Sequence, residues 1–308
     1  MKVSKPSFRK ISVTSPMSSA NVSAGFDVFG VALDAYHDEL DIELDKDKKG
    51  ISLSSNVPLS GENTAKRAAA LFFKKVGYTG GATIKLIKGI PAGKGLGSSG
   101  ASAAGAVFAL NVAFGNALSL ADVIDIAANS ESSPHADNVS ASILGGFAFV
   151  HSKSPYSAFS IYRKWKFYLI IPRSETPESK TELLRKALGE PVPFEKYVEE
   201  KYALNSMLRG LLYDEPEAFG KGMNFESYHQ AVRSRTGLYS DYIKLKSSLI
   251  DSGALGVCIS GAGPSILVLP GKGINMKTIK SVLDVKQVEA DIIEANVSEG
   301  TKIKNMEM

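Results

Sequence analysis

Residues 91–106, PAGKGLGSSGASAAGA, set five Gly and three Ser between an apolar run and an Ala-rich helical pattern. Glycine lets a backbone approach a ligand closely. A helix beginning near Ser98 points its free N–H groups and the positive end of its dipole at whatever fills the loop. Ser98 and Ser99 add hydroxyl donors, and Lys94 puts a positive charge at the rim. The natural guest is an anion, most economically a phosphate chain. A plain Gly/Ser turn is the alternative, but a linker does not usually lead directly into a buried helix.

The segment 95–100, GLGSSG, also satisfies G-x-G-x-x-G, the pattern of a dinucleotide-binding turn. There the glycines follow a strand at once, and an acid about 20 residues on ends a second strand. Here PAGK separates strand from glycines, and Asp122 falls inside a helical pattern, which argues against that reading. No Lys-Ser/Thr pair follows the last glycine, so the loop is not a P-loop either.

Three other stretches hold polar side chains that could complete a site. SPMSSANVSAGFDVFGVALD, residues 15–34, carries Asn21 and Asp27. SPHADNVSASILGGF, from residue 133, carries His135, Asp137 and Asn138. SGAGPSILVL, residues 260–269, interrupts a strand pattern with glycines, a mark of close backbone approach. Taken singly each has a plainer reading: Asp27 suits a turn, and HADN suits a helix N-cap cluster.

The elements that must position these residues are legible in outline. RKISVTSP, VFGVALD and DELDIELD are short β-like runs. NTAKRAAALFFKKVG is an amphipathic helix ending on Gly77, and GATIKLIKGI is a strand running into the glycine loop. SLADVIDIAANS is a helix with Ser119 as its N-cap. ILGGFAFVHS and KWKFYLIIP are strands. From about residue 175 come the helices KTELLRKAL, EKYVEEKYALNSMLRGLL and YSDYIKLKSSLIDSG, then the strands LGVCISGAGPSILVLP (broken in the middle) and VKQVEADIIEA. The pattern is α+β, with a β-rich half at 1–152 and a helix-first half at 153–308, divided near HSKSPYSAF.

Composition narrows the class. At 308 residues, 44% hydrophobic and 22% charged, the chain reads as an ordinary globular protein with room for two domains. Its net charge of +4 is spread out, and the basic cluster DKDKKG is mixed with acids, which argues against a nucleic-acid partner. No run reaches the ~18 apolar residues of a membrane span, and the N-terminus lacks the apolar core of a signal peptide. A single cysteine, Cys258, excludes an internal disulfide and reads as a buried thiol in an apolar strand. Cytoplasmic is the expected location. The sequence does not fix the oligomeric state; a homodimer is one option.

Together, in this order, the three glycine-bearing stretches resemble the signature motifs of the GHMP kinases, named for galactokinase, homoserine, mevalonate and phosphomevalonate kinases. The resemblance covers nearly the whole chain. It implies a two-domain fold, with an N-terminal half like domain 2 of ribosomal protein S5 and a ferredoxin-like C-terminal half. It also implies a kinase using ATP and Mg²⁺. Within the superfamily, SSANVSAGFD resembles the homoserine kinase motif S-S-A-N-L-G-x-G-F-D, and SPHADNV resembles S-P-H-P-D-N-V. KTELLRKAL is similar to its T-x-x-x-R segment, and AVRSRTGLY is placed like the stretch bearing its second substrate arginine.

By that resemblance Arg185 and Arg233, with Arg235 as a fallback, meet the carboxylate of homoserine, for which a planar guanidinium is suited. Asp27 meets its ammonium, and Asn21 and His135 complete the polar cup. Asp137 and Asn138 orient the reacting hydroxyl. Pro91, Lys94, Gly95, Leu96, Gly97, Ser98, Ser99 and Gly100 hold the triphosphate, with Asn63 near the adenine. The product belongs to threonine biosynthesis. A sibling kinase acting on mevalonate or a mevalonate phosphate, and a non-catalytic nucleotide-binding protein, are the alternatives.

The chain departs from the family pattern at several places. The family's metal-binding Glu lies eight residues before the motif histidine, which is Ala127 here. Glu131 from a shifted register, together with Ser98, is the substitute metal site, with Ser98 and water alone as the other option. Val22-Ser23-Ala24 stands where Leu-Gly-Pro is usual, Ala136 where Pro is usual, and Leu238 where Pro is frequent.

Overall fold

The computed structural model describes residues 5–58, 63–173, 191–234 and 239–308, with backbone only at 232–234. Its first sheet is built on β1 (Lys10–Asn21) and the long β2 (Gly25–Asp45), with β3 (Gly50–Ser55), β4 (Gly81–Ile87), β5 (Phe147–Lys153), β6 (Tyr156–Ile161) and the C-terminal β11 (Lys302–Glu307). The order is β11-β1-β2-β4-β3, and β5 pairs with both β2 and β6. The two runs expected at 28–45 are one strand. It keeps pairing with β1 across register shifts at Pro16/Met17 and Ala20/Asn21, and these re-aim its N-terminal end. Leu40, Ile42 and Leu44 alternate inward between Glu39, Asp41 and Glu43, the period of a strand with one buried face.

Helices α1 (Thr64–Val76), α2 (Ser98–Ala113), α3 (Leu120–Asn129) and α4 (Asp137–Leu144) cover that face. α1 ends as the sequence predicts, on Gly77 at φ 71°, and Ser119 caps α3. α2 is buried nearly all round, because its Ala and Gly side chains let it lie centrally against β1, α1 and α4. At Gly105 a Cβ would come within 2.6 Å of the Leu40 Cδ1 methyl, so a larger residue would push that side chain aside.

The second sheet comprises β7 (Lys166–Pro172), β8 (Gly256–Ile259), β9 (Ile266–Leu269) and β10 (Ala290–Asn296), in the antiparallel order β10-β7-β9-β8. In chain order this is 4-1-3-2, the ferredoxin-like arrangement. Its helices are α5 (Phe194–Tyr213), α6 (Pro216–Met223), α7 (Tyr228–Ser234), α8 (Ser240–Asp251) and α9 (Met276–Lys286). The helix expected at KTELLRKAL lies outside the described residues. Cys258 is fully buried on β8, and burial raises its thiol well above the usual range.

The expected division at 152/153 falls within the β5–β6 hairpin, whose turn is Ser154–Pro155, so the change of sheet comes between Ile161 and Lys166. β11 then returns to pair with β1. The halves share one apolar cluster: Phe29 and Phe147 of the first sheet pack with Phe167 of β7, Met207 of α5 and Phe219 of α6. Ring centroids of Phe147 and Phe219 lie 5.4 Å apart.

Candidate active site

The glycine loop enters α2 with Gly93, Gly95 and Gly97 all at positive φ (71°, 76° and 68°). Gly97 is the N-cap and makes no side-chain cap hydrogen bond, the build of a helix N-terminus that can receive an anion. A Cβ at Gly97 would come within 2.3 Å of Ser18 Oγ and 2.8 Å of Asn138 Oδ1. One at Gly95 would come within 2.3 Å of the Ser260 carbonyl oxygen. The third glycine-rich stretch is thus a buttress: Ser260 Oγ donates to the Gly95 carbonyl at 2.8 Å, and Gly261 N–H to the Ala20 carbonyl at 3.0 Å. Leu96 is buried, and its carbonyl accepts from Ser18 N–H at 3.2 Å. Lys94 and Pro91 line a pocket with Tyr36, Ile171, Pro172, Arg173 and Asp291, and Lys94 Nζ donates to the Pro172 carbonyl at 2.8 Å.

Sequence reasoning missed what supports this loop from beneath. Lys88 Nζ donates to the Asp38 carboxylate, to the Ser98 carbonyl at 2.7 Å and to Ser102 Oγ at 2.8 Å. Asp38 is fully buried and also accepts from Gly89 and Ile90 N–H at 3.1 and 3.2 Å. Burial pulls the Lys88 pKa below the usual lysine value, against the opposing pull of Asp38. A signal existed: Asp38 shares the inward parity of Leu40, Ile42 and Leu44, and Lys88 that of Ile84 and Leu86. Continuing the register Glu39↔Ile87 by one residue sets the two opposite each other.

The two loop serines take different partners. Ser98 Oγ donates to the Ile90 carbonyl at 3.1 Å, whereas Ser99 Oγ lies 3.0 and 2.9 Å from the two Glu131 carboxylate oxygens. Ala127, where the family pattern has its Glu, is buried in the apolar core, and Glu131 one helical turn later is the acid that reaches the loop. Glu131 is only 6% exposed, and burial raises its pKa despite the opposing pull of His135 and Ser99. Burial alone would lower the His135 pKa, but Asp137, Glu131, the Ser133 carbonyl and Asp27 together raise it.

Asp137 and Asn138 open α4 beside Gly97 and Gly100. Asp137 Oδ1 accepts from Asn138 N–H at 2.8 Å, and Asn138 Oδ1 accepts from Ser18 Oγ at 2.9 Å. Among the described residues no group of three or more His, Cys, Asp or Glu forms a metal site. A buried carboxylate beside a hydroxyl nevertheless suits Mg²⁺, which takes one or two carboxylates and completes its shell with phosphates and water.

At the end of β1, in the turn that follows and at the start of β2, Asn21, Val22, Ser23 and Asp27 stand at φ 68°, 38°, 67° and 60°. Non-glycine residues in that region are costly and persist where the surroundings over-determine them. Asp27 N–H donates to Asn21 Oδ1 at 3.0 Å, joining the two sequence-predicted residues. Asn63 caps α1, its Oδ1 accepting from Ala65 N–H at 2.8 Å, and Thr64 Oγ1 donates to the Ser99 carbonyl at 2.9 Å. This brings the start of α1 to the loop. Arg233 falls in α7, with its side chain outside the described set, and Arg185 and Arg235 lie outside the described residues.

A glycine loop at a helix N-terminus with an acidic–imidazole cluster beside it, on two sheets joined by a shared core, is the build of a small-molecule kinase of one architecture. The chain belongs to the GHMP kinases: the family model for the GHMP kinase N-terminal domain matches residues 63–146, and that for the C-terminal domain matches 207–283. It is similar to the homoserine kinase of Thermoplasma acidophilum, 34% identical over 96% of this chain and 97% of the relative. It is 35% identical to the homoserine kinase of Saccharolobus solfataricus over 93% of this chain and 96% of that one. Among solved structures, the homoserine kinase of Cytophaga hutchinsonii superposes with a TM-score of 0.83 at 29% identity, over 97% of this chain and 98% of that one. A mevalonate kinase from L. major, at TM-score 0.70 and 16% identity over 96% and 99% of the chains, shares the fold. Among the described residues no helix is long and apolar enough to cross a membrane.

Proposed function

We propose that the chain is an ATP-dependent homoserine kinase, transferring the γ-phosphoryl group of ATP to the side-chain hydroxyl of L-homoserine. The observation that carries this reading is Glu131, buried against Ser99 in the first turn of α2 and within electrostatic reach of His135 and Asp137. It gives the phosphate loop an acid in place of the one missing at Ala127.

Phosphoryl transfer rests on positioning and charge neutralisation. The N–H groups of the α2 N-terminus receive the phosphate oxygens, and Gly95 and Gly97 keep the backbone close to them. Glu131 and Ser99 would hold Mg²⁺, which supplies neutralisation of phosphate charge when bound. His135, whose acidic neighbours raise its pKa above the ordinary imidazole value, completes the polar cup around the acceptor. Asp137 and Asn138 orient the acceptor hydroxyl, whose oxygen bonds to the γ-phosphorus as the bridging P–O bond to ADP breaks and the hydroxyl proton departs to solvent. Asp27 with Asn21 receives the ammonium, and Arg185 and Arg233 receive the carboxylate. An ammonium partner for Asp27 favours homoserine, because mevalonate has none.

The test is ADP release with Mg²⁺-ATP and, separately, L-homoserine, mevalonate and phosphomevalonate. Turnover with L-homoserine, giving a phosphate ester visible by ³¹P NMR, is expected. Turnover with mevalonate instead, or none with any acceptor while ATP binds, overturns the reading.

A further inference from the structure

We propose that Ser23 is a positioning residue that fastens the acceptor turn to the segment leading into α7. Where the related motif has glycine, this chain has a fully buried serine at φ 67°, a backbone region that penalises any residue with a Cβ. Its hydroxyl donates to the Phe225 carbonyl and lies 3.3 Å from Gln230 Oε1. Three residues on, the Phe26 ring sits 4.5 Å from the His229 ring, which Ser227 Oγ holds at 2.9 Å. The turn is therefore fastened to residues 225–230 at two points, by a hydrogen bond and by a tilted ring contact.

Asp27 follows Phe26 directly, and Arg233 lies one helical turn beyond His229 in α7. On the acceptor-site reading above, the fastening sets the separation between the acid that meets the ammonium and an arginine that meets the carboxylate. Glycine at 23 would relieve the backbone but leave the turn held by the rings alone. Left-handed serine is retained here because its hydroxyl fixes that separation.

The experiment compares wild type with Ser23→Gly and Ser23→Ala by steady-state kinetics, thermal unfolding and amide hydrogen exchange. Ser23→Gly is expected to raise KM for L-homoserine about three- to tenfold, as for loss of one buried hydrogen bond. KM for ATP should stay within about twofold and Tm should be no lower, since the backbone penalty is relieved. Ser23→Ala, which keeps the Cβ, should show the same KM change with a lower Tm. An unchanged acceptor KM in both variants, or an equal rise in the KM for ATP, overturns the proposal. A wild type inactive on L-homoserine defeats the acceptor reading alone. The fastening is then decided by exchange, faster at 21–27 and 225–230 in Ser23→Gly if it holds, and unchanged if it does not.

Discussion

Replacing Lys88 by Met removes an ammonium from beneath the glycine loop while keeping an apolar stem of similar length. The ammonium serves three acceptors: the Asp38 carboxylate, the Ser98 carbonyl and Ser102 Oγ. Removing one member of a buried pair costs about 3–5 kcal/mol, because the other charge stays buried without its partner. Asp38 keeps the Gly89 and Ile90 N–H groups and Ser102 Oγ, at 3.1, 3.2 and 2.8 Å, and these hold its charge in place. That puts the loss near the lower end, about 3 kcal/mol. At about 2–3 °C per kcal/mol for a chain of this size, Tm should fall by roughly 6–9 °C.

Thermal unfolding by circular dichroism, for Lys88→Met, Asp38→Asn and the double variant, measures this. The double variant buries no charge here, so it should lie nearer wild type than the two single losses sum to, with a coupling of at least about 1 kcal/mol. Because Ser98 and Ser102 belong to the first turns of α2, ATP affinity of Lys88→Met should fall as well. A Tm within about 2 °C of wild type, or strictly additive losses, would refute the reasoning.

Four further outcomes are expected. Gly97→Ala forces a Cβ into Ser18 Oγ at φ 68°, a backbone cost of about 1–2 kcal/mol before the clash, so Tm and ATP affinity by calorimetry should both fall. Asp27→Asn should raise KM for L-homoserine roughly 10- to 100-fold, with ATP binding unchanged in the same titration. Glu131→Gln should bind ATP more tightly than wild type in EDTA but gain less from added Mg²⁺; equal gains in calorimetry would count against the carboxylate as a metal ligand. The folded-state pKa of Glu131 is raised from 4.5, so the stability it contributes is complete below that value and is lost as pH rises through the folded value. Glu131→Gln should therefore gain Tm relative to wild type as pH rises above about 4.5, and a difference that stays constant with pH would contradict the assignment.

How far the sequence reaches is seen best by parity. Along β2 and β4 the alternation of apolar and polar residues reveals both strands and their inward faces, and Gly77 and Ser119 mark helix ends by their own conformational preferences. The alternation says nothing about where a strand bends: the register shifts at Pro16/Met17 and Ala20/Asn21 break the period, so β2 reads as two pieces. β11 is exposed along its whole length, so its pairing with β1 leaves no hydrophobic pattern to find. Likewise HADN reads from sequence as either an N-cap cluster or a polar cup, and the fold places Ala136 at the N-cap of α4 with no side-chain cap hydrogen bond.

The site's chemistry divides along the same line. Motif spacing brings out the glycine loop, His135, Asp137 and Asn138, because those residues depend on local backbone form. The pairing of Glu131 with Ser99, and not Ser98, depends on how the end of α3 meets the start of α2, a long-range contact no spacing encodes. Its electrostatic sense appears only when the cluster is assembled. Asp27, Glu131 and Asp137 all act on the single imidazole of His135. A polyphosphate drawn to the α2 N-terminus therefore arrives beside acids as well as donors. On the proposed reading, a cation held by Glu131 and Ser99 would offset the repulsion between these acids and a bound anion. The two shifts have different causes: burial raises the acid of Glu131, whereas acidic neighbours raise the imidazole of His135 beside it.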